Sequence, residues 1–575
     1  MVRTDEVEQH VVPRIPVDRN ARIRHGKPIV APIRLRSYRP AAVNIFKATD
    51  LRPVADAALG EASLTNEPSI AQNGNTVLQT WNWGAATSKD AGATWSYMDP
   101  VGDDAGDPLP ARDDGFCCDQ LAYYIPGSDL YVWILQYIEG ATTGENAIRV
   151  AVAKGATALE NRQFAYWDLT PKQVNAAWSG VMYDQPKIAA TSSYLHMEVS
   201  AYQGTPFVQS VVLRLPISTL VSGGALNYGA YAVPLDSFSP ALVEGAGSTM
   251  YFASHYNTST LRVYSWPDGS ATPTAFNVSH SADPPGGSLS CRTQASNANS
   301  NWCGRGDPRI NMGWLGGGVI GFDWTAPQGS GGLGTFNYPY AHVVRIRESN
   351  RTLIDEPVMW SPSYAFAYPM IVPNSAGVLG GVVQFGGGST YQSCAAMTQK
   401  SNTANAFWDV KTVVSGNVHT NAPKGGDYTT ARRNAGSPTT WTGACYAPVN
   451  DSAHSHPFFV SFGGGSGGPP PGDTTPPSAR AFASAGKHST KKKRKLMRLL
   501  FTADDDSGEV RLALTVARGK KTIGRIGIPF TSVDGSVYFV RWKAPIQKGK
   551  LKFCVRAFDR AGHASASSCA GLKIR

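Results

Sequence analysis

Ser88-Lys89-Asp90-Ala91-Gly92-Ala93-Thr94-Trp95 is the stretch of this sequence that says most about the fold. It follows the pattern Ser-x-Asp-x-Gly-x-Thr-Trp, in which each defined residue suits a tight turn. A carboxylate at Asp90 accepts backbone N–H groups across the turn, and Gly92 adopts backbone angles that other residues avoid. The ring of Trp95 is large and apolar enough to pack between adjacent sheets. The segment therefore predicts a turn in a protein built from β-sheets.

A longer pattern recurs between residues 60 and 463. Each copy has an acidic or proline-containing turn, a short apolar strand, a turn of Gly, Ser or Asn, and a second strand rich in aromatic and β-branched residues. Successive copies begin 52 to 68 residues apart, which suits four short strands with their loops. The copies open at Glu67-Pro68-Ser69, Asp119-Gln120-Leu121, Asp184-Gln185-Pro186, Ser239-Pro240-Ala241, Asp307-Pro308-Arg309, Tyr368-Pro369-Met370 and Gly426-Asp427-Tyr428.

Repeated four-stranded units predict an all-β fold of the β-propeller type. Seven units can be counted, so we favour seven blades, with six as the alternative if one repeat is misparsed. The last unit has only about three strands, and an earlier segment such as 41–46 could supply the fourth and close the ring.

The turn motif resembles the Asp-box, or BNR repeat, of the sialidase-like superfamily of propellers, and this resemblance covers about residues 60–463. In such proteins the box lies away from the active mouth. The resemblance therefore implies a structural role for the box residues Ser88, Asp90, Gly92, Thr94 and Trp95.

Charge and composition divide the chain further. Residues 1–53 form a basic, proline-rich lead-in, 54–463 the acidic propeller, 464–478 a Gly/Pro-rich linker, and 479–575 a basic module of short alternating strands. The net charge is +6 over residues 1–53, −11 over 54–475 and +16 over 476–575. About 100 residues of alternating strands fit a small β-sandwich, and the ending resembles the Ig-like modules of secreted bacterial proteins.

The repeat openings place carboxylates together. By resemblance to propellers in general, ligands bind where the innermost strands begin, which predicts a site at the mouth of the central channel. Such carboxylates could form the acid/base pair of a glycosidase, could hold Ca²⁺, or could be ordinary turn formers. The candidates are Glu67, Asp119, Asp184, Asp307 and Asp427.

Sialidases share arginines that bind the substrate carboxylate, a Tyr/Glu nucleophile pair and an acid/base Asp. On this resemblance the substrate-binding candidates are Arg309, Arg432 and Arg433, with Asp307 beside them, and Tyr428 joins Asp427 as a catalytic candidate. The segment 14–16 reads Arg-Ile-Pro, similar to a motif of the family. It lies more than 70 residues before the Asp-box, so its position argues for coincidence.

The eight cysteines show no zinc-finger spacing. Nearby partners predict disulfides between Cys291 and Cys303, Cys394 and Cys445, and Cys554 and Cys569, with free buried thiols as the alternative. The adjacent Cys117 and Cys118 could form a strained bridge, or one of them could be buried. Disulfides imply an extracellular setting, although residues 1–32 show no apolar segment of the length that a secretory signal needs.

Two functions remain open at this stage. One is a secreted glycan-active hydrolase that requires no cofactor, with calcium as a possible ligand. The other is a non-catalytic binding or adhesion propeller that its basic module targets to a surface. That module suits a polyanion such as a cell-wall polymer. No nucleic-acid reader motif and no membrane-length apolar run occurs in the sequence.

Overall fold

The computed structural model describes the chain with gaps: residues 13–16, 43–58, 65–102, 107–112, 115–139, 146–293, 300–375, 377–399, 408–420, 425–437, 439–464, 476–486, 496–504, 509–532, 537–543, 549–558 and 563–574. The chain folds as two compact units, one with the described residues of 1–34 and 47–462 and one with those of 35–46 and 463–575. Among the described residues, no helix has the length and apolar character needed to cross a bilayer.

The large unit consists of antiparallel four-stranded sheets, which we label A to G. It begins with β1 (Val43–Asp50) and the short helix α1 (Arg52–Ala57). Sheet A contains β2 (Ser69–Asn73), β3 (Thr76–Trp81), β4 (Gly84–Ser88) and β5 (Ser96–Met98). Sheet B contains β6 (Phe116–Ile125), β7 (Leu130–Tyr137), β8 (Ala147–Lys154) and β9 (Ala165–Leu169). Sheet C contains β10 (Val181–Ala190), β11 (Tyr194–Gln203), β12 (Phe207–Pro216) and β13 (Gly229–Ala232).

The remaining sheets follow the same order of strands. Sheet D contains β14 (Ala241–Glu244), β15 (Thr249–Asn257), β16 (Thr260–Pro267) and β17 (Thr274–Ser279). Sheet E contains β18 (Ile310–Gly316), β19 (Val319–Ala326), β22 (Tyr340–Arg347) and β23 (Thr352–Asp355), with an inserted hairpin of β20 (Gly329–Gly331) and β21 (Gly334–Phe336) and a short β24 (Val358–Met359). Sheet F contains β25 (Ala365–Pro373), β26 (Leu379–Gly387), β27 (Thr390–Gln399) and β28 (Trp408–Val414). Sheet G contains β29 (Thr430–Arg433), β30 (Thr440–Ala447) and β31 (His456–Gly464), followed by β1 as its outer strand.

Short helices lie in the connections, namely α2 (Gly155–Glu160), α3 (Pro171–Val174) and α4 (Ile217–Ser222), with a 3-10 turn at Pro126–Ser128. None is long enough to organise the core. Strand β7, LYVWILQY, is buried at every position, because neighbouring sheets cover both of its faces.

The sheets form a ring. The first strand of each sheet contacts the first strand of the next, from β2 through β6, β10, β14, β18 and β25 to β29, and β29 contacts β2. This radial repetition defines a β-propeller. Sheets D and E are also joined directly, because β14 and β18 pair in parallel at Val243 with Gly313 and at Glu244 with Trp314.

The first and last parts of the large unit close the ring together. Strand β1 takes the fourth position of sheet G, overlapping the segment 41–46 that the sequence suggested. The Leu51 N–H donates to the Pro457 carbonyl at 2.9 Å, and the Asp50 carboxylate lies 2.8 Å from the His456 imidazole. The strands nearest the two ends of this unit are therefore held in one sheet.

The Ser88–Trp95 turn lies beside this closure. Asp90 accepts hydrogen bonds from the Thr94 backbone at 2.8 Å and from the Thr94 hydroxyl at 2.5 Å. Gly92 has a φ of +89°, and a side chain there would collide with the ring of Phe459. Trp95 packs edge-on against Phe459, 5.2 Å between ring centroids, and so connects the turn of sheet A to sheet G.

All eight cysteines are paired in disulfides. The three predicted pairs form, and Cys117 and Cys118 are bridged as neighbours. The bridge from Cys394 in β27 to Cys445 in β30 joins sheets F and G across 51 residues of sequence.

The second unit contains two sheets. One has the order β32 (Ser478–Phe482), β34 (Leu496–Asp504), β37 (Val537–Lys543). The other has the order β33 (Ser484–Gly486), β39 (Ser568–Ile574), β38 (Gly549–Phe558), β35 (Glu509–Arg518), β36 (Lys521–Ser532). Buried residues of both sheets, such as Phe501 and Phe553, form one core. The predicted linker at 464–478 lies mostly outside the described residues.

We predict that removal of the Cys394–Cys445 bridge by the double substitution C394S/C445S destabilises the large unit by about 2–4 kcal/mol, because the unfolded chain regains the freedom of a long loop. Differential scanning calorimetry measures the effect as a lower midpoint of the transition of the large unit. An unchanged midpoint would contradict this assignment, and the C554S/C569S variant provides the control because its bridge lies in the second unit.

We also predict a pH signature for the turn. Hydrogen bonding by the Thr94 hydroxyl, against a smaller effect of burial, lowers the pKa of the Asp90 carboxyl to about 2. A lowered pKa means that Asp90 stabilises the fold above about pH 4 and loses this contribution as the pH falls towards 2. Thermal midpoints of wild type and Asp90→Asn should differ at pH 7 and converge near pH 2. A difference independent of pH would show that the charge plays no part.

Candidate active site

Three of the inner strands have a local distortion within the strand or just before it. Gln185, Ser239 and Tyr368, each directly before a proline, have positive φ angles of 55°, 44° and 51°. The register of β10 shifts between Asp184 and Lys187, and that of β25 shifts between residues 367 and 370. Such bulges redirect side chains and occur next to active sites. Here they turn polar side chains towards the channel and the neighbouring sheets.

This distortion changes how the predicted repeat openings must be understood. Asp119 and Asp184 do not precede their strands but lie within β6 and β10, each beside a register shift. The acidic residue marks a bulge in these two repeats rather than a turn before the strand. Proline and acidic residues are favoured at both kinds of feature, so the sequence pattern could not separate them.

Glu67 and Asp427 meet where the ring closes. The Asp427 backbone N–H donates to Glu67 Oε1 at 3.0 Å. Asn82 donates from its amide to Glu67 Oε2 and accepts from the Glu67 backbone, both at 3.0 Å. Only 3% of Glu67 is exposed, so this carboxylate is held in place by hydrogen bonds to both oxygens. Glu67 is therefore suited to set the electrostatics of its neighbour.

This arrangement changes the acidity of the Asp427 carboxyl group. Burial and the negative charge of Glu67 raise the pKa of Asp427 to about 7, while the positive charge of Arg309 opposes the rise. At neutral pH such a group exists in both protonation states. A carboxyl group of this kind can give and take a proton in a reaction.

Arg309 is oriented from two sides. Its guanidinium forms a bidentate pair with Asp307, with Nε 2.9 Å from Oδ2, and donates to the side-chain oxygen of Gln185. Burial disfavours the charge, but Asp307 raises the pKa of Arg309 above its ordinary value. Only 12% of the side chain is exposed, so a fixed positive charge stands beside Asp427.

Two cavities meet at Arg309. The narrow one lies in the central channel, has a volume of about 80 Å³, and is lined by Asp119, Gln185, Asp427 and Tyr428 among others. The second lies beside it, has a volume of about 480 Å³, and is lined by Arg14, Phe238, His255 and Asp283 together with Asp307. Ligand sites have volumes of about 300–1,000 Å³, so the lateral cavity has the size for a sugar.

A buried ion pair lies in the wall of the channel. Lys187 Nζ lies 3.0 Å from Glu198 Oε2 and also donates to the Ser239 carbonyl at 3.3 Å. Burial lowers the pKa of Lys187 and raises that of Glu198, so each ion depends on the other for its charge. No sequence pattern marks Lys187 and Glu198 as a pair.

Other predicted residues are placed as follows. Asp184 accepts from Gln136 at 3.1 Å and from the Gln185 backbone at 2.8 Å, which makes it part of the bulge. The Tyr428 hydroxyl donates to the Gln120 carbonyl at 3.3 Å. Tyr428 and Asp119 both line the channel, whereas Asp184 is not among its lining residues.

Of the three predicted arginines, Arg309 and Arg432 both line the narrow central cavity, whereas Arg433 is not among its lining residues. Arg432 pairs with Glu244, donates to the Ile70 carbonyl at 3.2 Å, and with Arg433 lines a cavity at the far ends of the inner strands. The predicted carboxylate-binding cluster stays a prediction: Arg309 and Arg432 share a cavity, and each is paired with a carboxylate of the protein.

Long connections bring further residues to the site that no sequence pattern indicates. Arg14 lines the lateral cavity, and the backbone of Pro16 accepts a hydrogen bond from Thr258 at 2.9 Å, although its place in the sequence argued for coincidence. His255 and Asp283 lie in separate parts of the fourth repeat. No periodicity in the sequence signals such contacts.

No protein family and no curated protein matches this chain in sequence. Among solved structures, a GH93 α-L-arabinofuranosidase of Fusarium graminearum in complex with arabinobiose is similar at 11% identity and a TM-score of 0.34, over 74% of this chain and 98% of that one. A Trypanosoma rangeli sialidase with 2,3-difluorosialic acid has 8% identity, a TM-score of 0.33, and coverage of 86% and 82%. A Penicillium chrysogenum α-L-arabinanase with arabinobiose has 11% identity, a TM-score of 0.30, and coverage of 77% and 99%. These similarities are too weak to transfer an activity.

We predict that Glu67→Gln lowers the pKa of Asp427 below about 7, because a neutral amide removes the nearby negative charge. Arg309→Gln should move this pKa in the opposite direction. Carboxyl NMR or difference infrared spectroscopy across pH 4–9 can follow the protonation of Asp427, assigned with Asp427→Asn. Equal pKa values in all three proteins would show that the charges are not coupled.

Proposed function

We propose that this protein is a seven-bladed propeller of the Asp-box sialidase-like superfamily and a glycan-acting glycoside hydrolase. The observation that carries the proposal is the Asp427 carboxyl, whose pKa is raised to about 7 beside the fixed charge of Arg309. The two groups border the channel, and Arg309 also borders a cavity of the size that a sugar needs.

In the proposed reaction, Asp427 protonates the oxygen of the glycosidic bond as that bond breaks. Asp119, which lines the same channel, acts as the second carboxylate, either attacking the anomeric carbon or activating a water molecule. Glu67 keeps Asp427 protonated near neutral pH through its negative charge. Arg309 orients the sugar, and Asp307 and Gln185 restrict the motion of its guanidinium.

The lateral cavity favours acidic glycans among possible substrates. Arg14 and Arg309 contribute positive charges to its wall beside the carboxylates of Asp236, Asp283 and Asp307, and a guanidinium binds a substrate carboxylate through two hydrogen bonds. Phe238, whose ring centroid is 5.5 Å from the Arg309 guanidinium carbon, offers an apolar face for a sugar ring. A sialic or uronic acid residue satisfies both features. Hydrolysis of this kind needs no cofactor.

The remaining features are consistent with an extracellular enzyme. Paired cysteines form in oxidising compartments. The second unit is proposed to be an Ig-like module whose positive charge attracts a polyanionic surface polymer, which would bring the enzyme to its substrate.

We predict that Asp427→Asn lowers kcat/KM for the preferred glycoside by about 10²–10⁴-fold, because an amide cannot donate the proton. The purified full-length chain is tested with fluorogenic sialosides, uronides, arabinofuranosides and neutral hexosides. In wild type, the rate should fall with rising pH near pH 7 as Asp427 loses its proton, and Glu67→Gln should move that limb to lower pH.

Asp168→Asn is the matched control, since Asp168 pairs with Arg149 in the outer part of sheet B and should leave turnover unchanged. Turnover that survives Asp427→Asn would refute the catalytic assignment. Absence of turnover on every glycoside in the panel would refute the hydrolase and favour a binding propeller.

A further inference from the structure

A cluster of histidine and carboxylate side chains lies apart from the channel, on the side of sheets D and E. His280 directly follows β17, His342 lies in β22, and Glu356 lies between β23 and β24. Their nitrogen and oxygen atoms all lie within 4.8 Å of one another. His342 is completely buried and only 7% of His280 is exposed. Three segments that are distant in sequence thus converge on one small volume.

The hydrogen bonds around the cluster determine which ring nitrogens are available. His280 Nδ1 lies 2.8 Å from the Ser281 carbonyl, which can only accept, so this nitrogen carries the proton. His342 Nδ1 lies 2.8 Å from an Asp283 carboxylate oxygen and donates to it in the same way. In a neutral imidazole whose Nδ1 is protonated, Nε2 has a free lone pair. The Nε2 atom of His280 is buried and has no hydrogen-bond partner among the described residues.

The third group is oriented in a similar manner. Glu356 Oε2 accepts the Ser281 backbone N–H at 2.7 Å, and Oε1 accepts the Ser281 hydroxyl at 3.2 Å. Its Oε2 lies 3.4 Å from His342 Nε2. Two ligand atoms on the same tetrahedral zinc ion are about 3.3 Å apart, given metal–ligand bonds of about 2.0–2.1 Å. This pair therefore already has the separation that a shared metal requires.

We propose that His280, His342 and Glu356 form a binding site for a divalent transition metal of the zinc type. Imidazole nitrogen suits zinc and its neighbours in the first transition row, whereas calcium and magnesium prefer oxygen ligands. The site uses the Nε2 atoms of both histidines and Oε2 of Glu356. A water molecule completes a tetrahedron around the ion.

The surroundings match the outer shell that protein zinc sites require. Ligating histidines usually donate their second ring N–H to a carboxylate or a carbonyl, and here Asp283 and Ser281 accept those bonds. Asp283 is held in turn by the indole N–H of Trp324 at 2.8 Å. Asp283 also lines the lateral cavity, which provides a route for the ion.

A proton is the competing occupant of this site. Burial disfavours a charged imidazole, but Asp283 and Glu356 raise the pKa of His342 to about 9. In the absence of metal, a protonated His342 between two carboxylates satisfies the charges. Metal binding displaces that proton, so the two states exclude each other and an experiment can separate them.

A bound ion would stabilise the fold locally. It would connect the segment after β17 to β22 and to the connection after β23, and so fix one wall of the lateral cavity. This role is independent of the proposed hydrolase activity, since neither Asp427 nor Arg309 belongs to the cluster.

The test uses the full-length chain, stripped with a chelator and then titrated with Zn²⁺ or Co²⁺ alone. We expect uptake of about one ion per chain, a higher thermal midpoint with Zn²⁺, and the visible absorption of tetrahedral Co²⁺. His280→Asn and Glu356→Gln should weaken Zn²⁺ binding by more than about 100-fold, and Asp283→Asn by about 10–100-fold. His196→Asn, which alters a fully buried histidine of sheet C, should bind as the wild type does.

The proposal is overturned if the wild-type chain takes up neither ion, or if His280→Asn and Glu356→Gln bind Zn²⁺ as tightly as His196→Asn. If His280→Asn does not fold, Glu356→Gln decides, because the Glu356 side chain is 13% exposed and its replacement is isosteric. Circular dichroism establishes folding, and none of these measurements depends on a glycoside being hydrolysed.

Discussion

The structure depends on the closure of the ring, in which β1 completes sheet G and β29 contacts β2. A propeller sheet covers its neighbours on both faces, so an open ring would expose two apolar faces to water. The closure is secured by hydrogen bonds at Leu51 and His456 and by the Trp95–Phe459 contact. It also brings Glu67 from the first sheet against Asp427 from the last. The same constraint that stabilises the fold therefore creates the altered carboxyl group of the candidate site.

Buried ion pairs are a second feature of this structure. Arg309 with Asp307 and Lys187 with Glu198 are pairs in which each ion compensates its partner, and their net contribution to stability is small. Each pair instead fixes the positions of its side chains. Asp307, for example, holds the Arg309 guanidinium at the channel mouth. Hydrogen bonds likewise orient the two imidazole rings in the cluster of His280, His342 and Glu356.

Much of the architecture could be predicted, because four-stranded repeats leave a regular trace of alternating strands and turns. Glu67, Asp119 and Asp427 became candidates because acidic residues recur at the repeat openings, and the three disulfides were predicted because each cysteine has a partner along the chain. Arg432 lines both the narrow central cavity and the cavity at the far ends of the inner strands, whereas Arg433 lines only the latter of these two. His280, His342 and Glu356 have no shared spacing, so sequence alone could not group them.

The sequence by itself determined the β-rich repeat, the turn at Asp90 and Gly92, and the cysteine pairs, because each depends on residues close together in the chain or on a periodic pattern. Only the tertiary structure decided which carboxylates meet and which arginines line the same cavity. The pKa of Asp427 is set by burial and by Glu67, a residue 360 positions away in the chain. Electrostatic coupling acts through distance in space, and that distance exists only once the ring is closed.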